Sequence, residues 1–271
     1  MQAHLAASSH FLIEKHFGTF RIKMAVNIHV ATSAQVLGKE AGQLAATLIQ
    51  EVIDQRGSAN IILATGASQF ETLAQLIQFP IPWQKVHMFH LDEYIGLDES
   101  HDASFRKYLK NRFLGPIGYQ CHYHLIDGNN DTTVECQRLA LLIEEHPIDV
   151  ALIGIGENGH LAFNDPPADF DTLEPYITVQ LDEACRSQQV GEGWFADLNE
   201  VPISAISMSV HQILRSDKLV VSVPDERKAE AVQKSMEGPI SNLCPASILQ
   251  KHSDCHLFLD EASASKLKCF I

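Results

Sequence analysis

Short apolar runs alternate along the chain with longer stretches of helical periodicity. Met24 opens the first clean strand pattern, Ala25-Val26-Asn27-Ile28-His29-Val30, and an amphipathic stretch runs from Ser33 to Gln55. Asn60 to Thr65 predicts a strand and Ser68 to Gln78 a helix; Lys85 to Leu91 predicts a strand and Ser104 to Phe113 a helix. Asp131 to Glu145 is helical in period, and the apolar run Asp149 to Ile153 reads as a buried strand. Ala205 to Val210 and Lys218 to Val223 are further strand candidates, followed by a helix over Asp225 to Met236 and a last apolar run, His256 to Leu259.

Strands that are almost continuously apolar are buried on both faces, the condition of a parallel sheet with helices above and below. The pattern therefore predicts an α/β fold with a mostly parallel sheet, helices on both faces and a single domain over residues 24–271. Residues 1–23 lack the pattern and predict a peripheral N-terminal extension. The least regular stretch, Pro166 to Asn199, holds Pro166-Pro167, Gly191 and Gly193. It is long for a connection, which predicts a lid or an excursion over a site.

Composition narrows the partners. The 271 residues carry a formal net charge of -14, a field that disfavours nucleic acid and anionic membranes. A phosphorylated substrate needs a local cluster of N–H groups and a Lys or Arg to overcome that field. The six cysteines, Cys121, Cys136, Cys185, Cys244, Cys255 and Cys269, are irregularly spaced and form no C-x-x-C pair, as scattered thiols of a reducing compartment do. No run approaches the ~18 apolar residues that span a bilayer. The first 25 residues contain no continuous apolar segment of the secretory kind, so a cytoplasmic location is expected.

The chemistry concentrates where strands end. After the run at Val150 come Gly154, Gly156 and Gly159, then His160, Asn164, Asp165 and Pro166. The glycine spacing matches a dinucleotide fingerprint, but such a loop opens a helix at its last glycine, and here Asn164-Asp165-Pro166-Pro167 interrupts one. The glycines instead shape a turn that carries His160, whose imidazole can move protons near neutral pH. Asn158 and Asp165 are close enough in sequence to fix its tautomer. In Phe89-His90-Leu91-Asp92-Glu93-Tyr94 a strand ends in two adjacent acids, which point in opposite directions, so one of them faces a cleft. Thr65, Gly66, Ala67 and Ser68 join a strand to a helix N-terminus, where free N–H groups bind anions. Lys228 lies in the first turn of the helix after Val223, where the helix dipole disfavours a cation unless an anion is near. Cys121-His122-Tyr123-His124 sets two histidines on one face of a strand. The spacing supplies no third ligand, so no metal is expected.

Taken together, Thr65 to Ser68, Phe89 to Leu97, Gly154 to Pro166, Lys228 to Val232 and Pro245-Ala246-Ser247 resemble the glucosamine-6-phosphate deaminase/isomerase family over roughly residues 27–260. The resemblance implies a Rossmann-like fold, no cofactor, and an amino-sugar phosphate as substrate. The chemistry it implies is ring opening, transfer of a proton from C2 to C1, and hydrolysis of the imine to fructose 6-phosphate and ammonia. By position, Asp92 looks like the acid/base between the carbons and His160 like the ring-opening residue. Asn158 and Asp165 look like the support of that histidine, and Thr65, Gly66, Ala67, Ser68 and Lys228 like the phosphate cradle. Self-association is left open.

The chain departs from the family pattern in places. Asn158 stands where an aspartate is frequent, and Asp165 where glutamate is usual. The lid, Arg186 to Phe195, is unlike the usual one, with Gly193 where a phosphate-binding arginine is common; Arg186 is the candidate substitute. No Lys or Arg lies between Pro166 and Cys185, where regulated members are basic, so that regulation is not expected. Three alternatives remain: a 6-phosphogluconolactonase, which lacks the Phe163-Asn164-Asp165-Pro166 run; a deaminase of the galactosamine epimer; and a sugar-phosphate-binding protein without turnover.

Overall fold

Seven parallel strands form the main sheet: β3 (Val26–Ala31), β12 (Cys255–Asp260), β11 (Lys218–Val223), β8 (Val150–Ile153), β4 (Ala59–Leu63), β5 (Val86–His90) and β7 (His122–His124), in that spatial order. The computed structural model describes residues 26–268 and, as backbone, an antiparallel pair β1 (Glu14–Phe17) and β2 (Phe20–Lys23). The extension expected over 1–23 otherwise falls outside the described residues.

Strand alternation sorts side chains into two apolar layers. Ile61, Leu63, Val150 and Leu152 pack with α1 (Ala34–Arg56) and α2 (Phe70–Leu76), through residues such as Leu37, Ile49 and Leu73. Their neighbours Ile62, Ala151 and Ile153 face the opposite side. There Leu139 and Ile143 of α4 (Thr132–Glu145), Ile213 of α6 (Val210–Leu214) and Val232 of α7 (Ala229–Glu237) cover them. Each fully buried Leu or Ile contributes about 1.5–3 kcal/mol, so a sheet covered on both faces is the stable answer to continuous apolar strands. The single α/β domain expected from the pattern is the one observed. The helix ends also follow the sequence: Ser33 caps α1 by accepting the Val36 N–H, and Asp131 caps α4 by accepting that of Val134.

Two expectations change. The strand expected over Ala205 to Val210 is β10 (Ser204–Met208), but it joins a separate antiparallel sheet between β6 (Asp92–Tyr94) and β9 (Tyr176–Gln180). The stretch 166–199 is not irregular throughout. It supplies β9 and α5 (Glu183–Gly191), whose first turn is capped by Asp182 accepting the Cys185 N–H at 2.6 Å. These elements cover only a small third cluster, which includes Tyr94, Phe163, Leu181, Cys185 and Phe195, so their sequences carry little apolar periodicity. The helix expected over Ser104 to Phe113 is α3 (Phe105–Leu109) followed by a π-turn, Lys110–Leu114.

Candidate active site

The carboxyl ends of β4, β5, β8 and β11 converge on one cleft of about 380 Å³. Crevices at this end of a parallel sheet are where such folds bind ligands. Thr65, Gly66, Ala67 and Ser68 enter after β4, Asp92 after β5, Gly154, Gly156 and His160 after β8, and Arg227 and Lys228 after β11. Gln188, Gln189 and Glu192 close the opening from α5 and its end.

Asp92 and Glu93 diverge as the strand geometry requires. Asp92 lines the cleft and is buried; burial first, and then the Glu93 charge, push its carboxyl well above the usual carboxylate range. Glu93 turns inward. It accepts the Ser104 hydroxyl at 3.0 Å and the Arg106 N–H at 2.9 Å, and it pairs with the Arg106 guanidinium at 3.2 Å. Glu93 therefore holds the start of α3, where N–H groups have no helical partner.

His160 sits on the turn that Gly156 and Gly159 allow. The imidazole lies over Gly156, where an added Cβ would stand 2.2 Å from the ring, and Gly159 has φ +86°. Asn158 Oδ1 accepts the His160 backbone N–H at 3.0 Å, and its amide donates to Asp165 Oδ1 at 3.1 Å. That same Oδ1 lies 3.2 Å from His160 Nδ1. Asp165 thus reaches the ring with its short side chain, because the turn Leu161–Asn164 folds it back. Burial opposes the Asp165 charge, but the imidazole, the Asn158 amide and the Cys185 thiol outweigh it and hold the carboxyl below its usual range. An acid this close to one ring nitrogen favours the tautomer with its proton there and leaves the other nitrogen for proton transfer.

One residue joins the two halves. Ser207 pairs with Asp92 across β10 and β6, and its hydroxyl accepts the Phe163 N–H at 3.1 Å. Asn164, buried, donates to the carbonyls of Leu161 and Met208 at 2.7 and 2.8 Å. Asn164 stands in the run Phe163 to Pro166 noted above, whereas Ser207 has no signal beyond a polar residue inside an apolar pattern.

The cleft's far wall holds the cations Lys228 and Arg227 among the acids Asp225, Glu192 and Asp260. Lys228 is buried beside it, and burial lowers its pKa while Glu192 and Glu157 oppose the shift. The loop 65–68 is pinned from behind: Tyr108 donates to the Gly66 carbonyl at 3.0 Å, and buried Gln69 reaches the carbonyls of Ile153 and Ser222, both at 3.3 Å. Gly66 has φ +93°, which leaves the following N–H groups at a helix start.

The sequence profile described as glucosamine-6-phosphate isomerases/6-phosphogluconolactonase matches residues 32–258. The chain belongs to this family. It is 34% identical over 238 residues to a glucosamine-6-phosphate deaminase of Exiguobacterium sibiricum, covering 88% of this chain and 92% of that one. A glucosamine-6-phosphate deaminase of Lactobacillus delbrueckii subsp. bulgaricus is 33% identical, covering 90% and 100%. Among solved structures, a monomeric glucosamine-6-phosphate deaminase superposes with TM-score 0.81 at 31% identity, covering 88% of this chain and 98% of that one. A 6-phosphogluconolactonase of Shewanella baltica superposes with TM-score 0.72 at 16% identity, which speaks to the fold alone.

Within this family fold, Arg186 is not part of the cleft wall. Its guanidinium is spent on the carbonyls of Leu198 and Val201, which tie α5 to the following loop. The arginine that does line the cleft is Arg227, beside Lys228, paired with Asp225 at 3.0 Å and Glu157 at 3.3 Å. Its one mark in the sequence is its place next to Lys228 at the same helix start. Asp225 itself adopts φ +89°, held by Asp260, whose carboxylate accepts its N–H at 3.1 and 3.3 Å. The glycine motif opens no helix at Gly159, as the prolines implied.

His122 and His124 do not line this cleft; they stand on the edge strand β7, where the rings of His87 on β5 and His146 after α4 lie beside them. Among the described residues no helix is long and apolar enough to cross a membrane.

Proposed function

We propose that the chain catalyses the deamination and isomerisation of glucosamine 6-phosphate to fructose 6-phosphate and ammonia. One observation carries the reading: a buried carboxyl, Asp92, and an acid-supported imidazole, His160, face a single cleft whose other wall holds Lys228, Arg227 and the 65–68 loop. The deaminase relatives, 32–34% identical over most of their length, support the same reaction.

In this reading the phosphate sits on Lys228, Arg227 and the N–H groups of residues 66–68, which places the sugar ring between Asp92 and His160. His160, its tautomer held by Asp165, passes a proton between the hemiacetal hydroxyl and the ring oxygen, and the ring opens. Asp92 as carboxylate removes the C2 proton; its raised pKa makes it a stronger base than an exposed aspartate. The same group returns the proton to C1, and water hydrolyses the resulting imine at C2, releasing ammonia. Asn158 acts through Asp165 and the His160 backbone, without touching substrate. Proton transfers and imine hydrolysis need no redox partner.

The direct test is to incubate the chain with glucosamine 6-phosphate and follow ammonia and fructose 6-phosphate together. Equal release of both is expected. No ammonia from this sugar or from galactosamine 6-phosphate, with rapid hydrolysis of 6-phosphogluconolactone, would overturn the reading in favour of the lactonase.

A further inference from the structure

We infer that His87, His124 and His146 form a binding site for a borderline divalent metal ion of the zinc or nickel kind at the edge of the main sheet. Three segments distant in sequence deliver the ligands. His87 is the second residue of β5, and His124 lies on the adjacent edge strand β7, two pairs along the same ladder. His146 is the residue at which α4 ends. The candidate ligand nitrogens all lie within 4.8 Å of one another.

The geometry is close to what such an ion requires. His87 Nδ1 and His124 Nε2 share a hydrogen bond at 3.3 Å, which an ion bound to both would replace. Two nitrogens bound at ~2.0–2.1 Å in a tetrahedral site stand about 3.4 Å apart. The third imidazole stacks on His87 at 4.0 Å between centroids and brings a ring nitrogen within 4.8 Å of the other two. Phe89 floors the group, 4.5 Å from the His124 ring. All three ligands are partly exposed, so an ion has a way in.

A fourth ring, His122, stacks on His87 at 4.5 Å and lies outside the set of three. Neutral imidazoles are ready ligands, and α4 directs the negative end of its dipole toward them. An all-imidazole donor set suits zinc, nickel or copper and excludes magnesium and calcium. The site is separate from the cleft, which none of the three histidines lines; Asp92 is five residues further along from His87, at most about 16 Å at the rise of a strand. A bound ion would clip β5, β7 and the end of α4 together.

The test is calorimetric titration of the full-length chain with zinc chloride near pH 7.5, alongside His124→Gln, His146→Gln and His122→Gln. One equivalent should bind to the parent and to His122→Gln, and its affinity should fall more than about tenfold in the other two, since even outer partners of metal ligands are worth ~10–100-fold. At about a hundredfold excess over Kd the melting temperature of the parent should rise by roughly 5–10 °C, and that rise should vanish in His124→Gln and His146→Gln. Cobalt in place of zinc should give a spectrum with nitrogen ligands and no sulfur-to-metal charge transfer. That last readout matters because His160, Asp165 and Cys185 also bring ligand atoms within 4.8 Å in the catalytic cleft. Three results would each overturn the inference: no binding to the parent, binding that survives both ligand variants, or a sulfur-ligated cobalt spectrum. None of them depends on which reaction the cleft catalyses.

Discussion

The imidazole of His160 occupies the space that a side chain on Gly156 would need. An added Cβ would stand 2.2 Å from Cε1 and Nε2 of the ring and 2.4 Å from Cδ2. Backbone conformation does not demand glycine there, since Gly156 is absent from the positive-φ positions. The requirement is room for the His160 ring. Gly156→Ala should therefore fold with at most about 1–3 kcal/mol of lost stability, yet lower kcat by at least ~100-fold by displacing His160. Thermal unfolding and steady-state kinetics measured together check this; unchanged kcat would remove His160 from its assigned position.

Asp92→Asn should separate activity from stability. The raised pKa of Asp92 means that the fold favours its protonated form, a contribution complete below the unfolded value of 3.8 and lost as pH rises through the folded value. At neutral pH a buried charge is thus a cost, and the neutral amide removes it. Solvent-deuterium incorporation at C2 should disappear, while the melting temperature at pH 7–8 should exceed the parent's by at least about 2 °C, with the gap closing toward pH 4.

Asp165→Asn acts with the opposite sign. Asp165 has a depressed pKa, so its contribution is present above 3.8 and is lost as pH falls through the folded value. The variant should be less stable than the parent at pH 7, with the difference shrinking in acid. It should also lose ~10²–10⁴ in kcat, because an amide can hold the wrong histidine tautomer. Melting curves across pH 3–8 and kcat at each pH separate the two effects.

Lys228→Met should act on binding. If Lys228 holds the phosphate, KM rises at least about tenfold, corresponding to ~1.4 kcal/mol, with a smaller change in kcat. Burial disfavours the Lys228 charge, so the variant should melt no lower than the parent. Arg227→Met, at the same wall but half exposed, should raise KM by less. A fall in kcat at constant KM would argue against a phosphate role for Lys228.

Glu93→Leu tests the acid that faces away. It strands the Arg106 guanidinium, whose side chain is 8% exposed, with Asp127 as its remaining carboxylate partner. Loss of one partner of a buried pair costs about 3–5 kcal/mol, or roughly 6–20 °C in melting temperature. Residual enzyme should retain its pH profile, which distinguishes a structural Glu93 from a second catalytic acid.

Much of the site was legible because it stands at strand ends. Apolar runs mark strands, and a polar residue just after one is placed at the sheet's carboxyl edge whatever the rest of the chain does. Asp92, His160, Lys228 and the 65–68 loop were found in that way. Arg227 and Gln69 were not, because each sits beside a residue with a stronger signal. Arg186 is a candidate for the cleft by its place in the lid, and only the path of α5 shows its guanidinium bound to lid carbonyls.

Local periodicity determined the parallel sheet, its two covered faces and most helix starts, because burial on one or both sides of an element is written every two or three to four residues. Pairing between distant segments is not written there. The tertiary structure alone decided that β10 leaves the main sheet to hold Asp92, that Ser207 couples Asp92 to the turn behind His160, and that His87 and His146 arrive at His122 and His124. Each of these contacts joins segments more than 20 residues apart, and their partners are chosen by the packing of whole layers rather than by any repeat in the sequence.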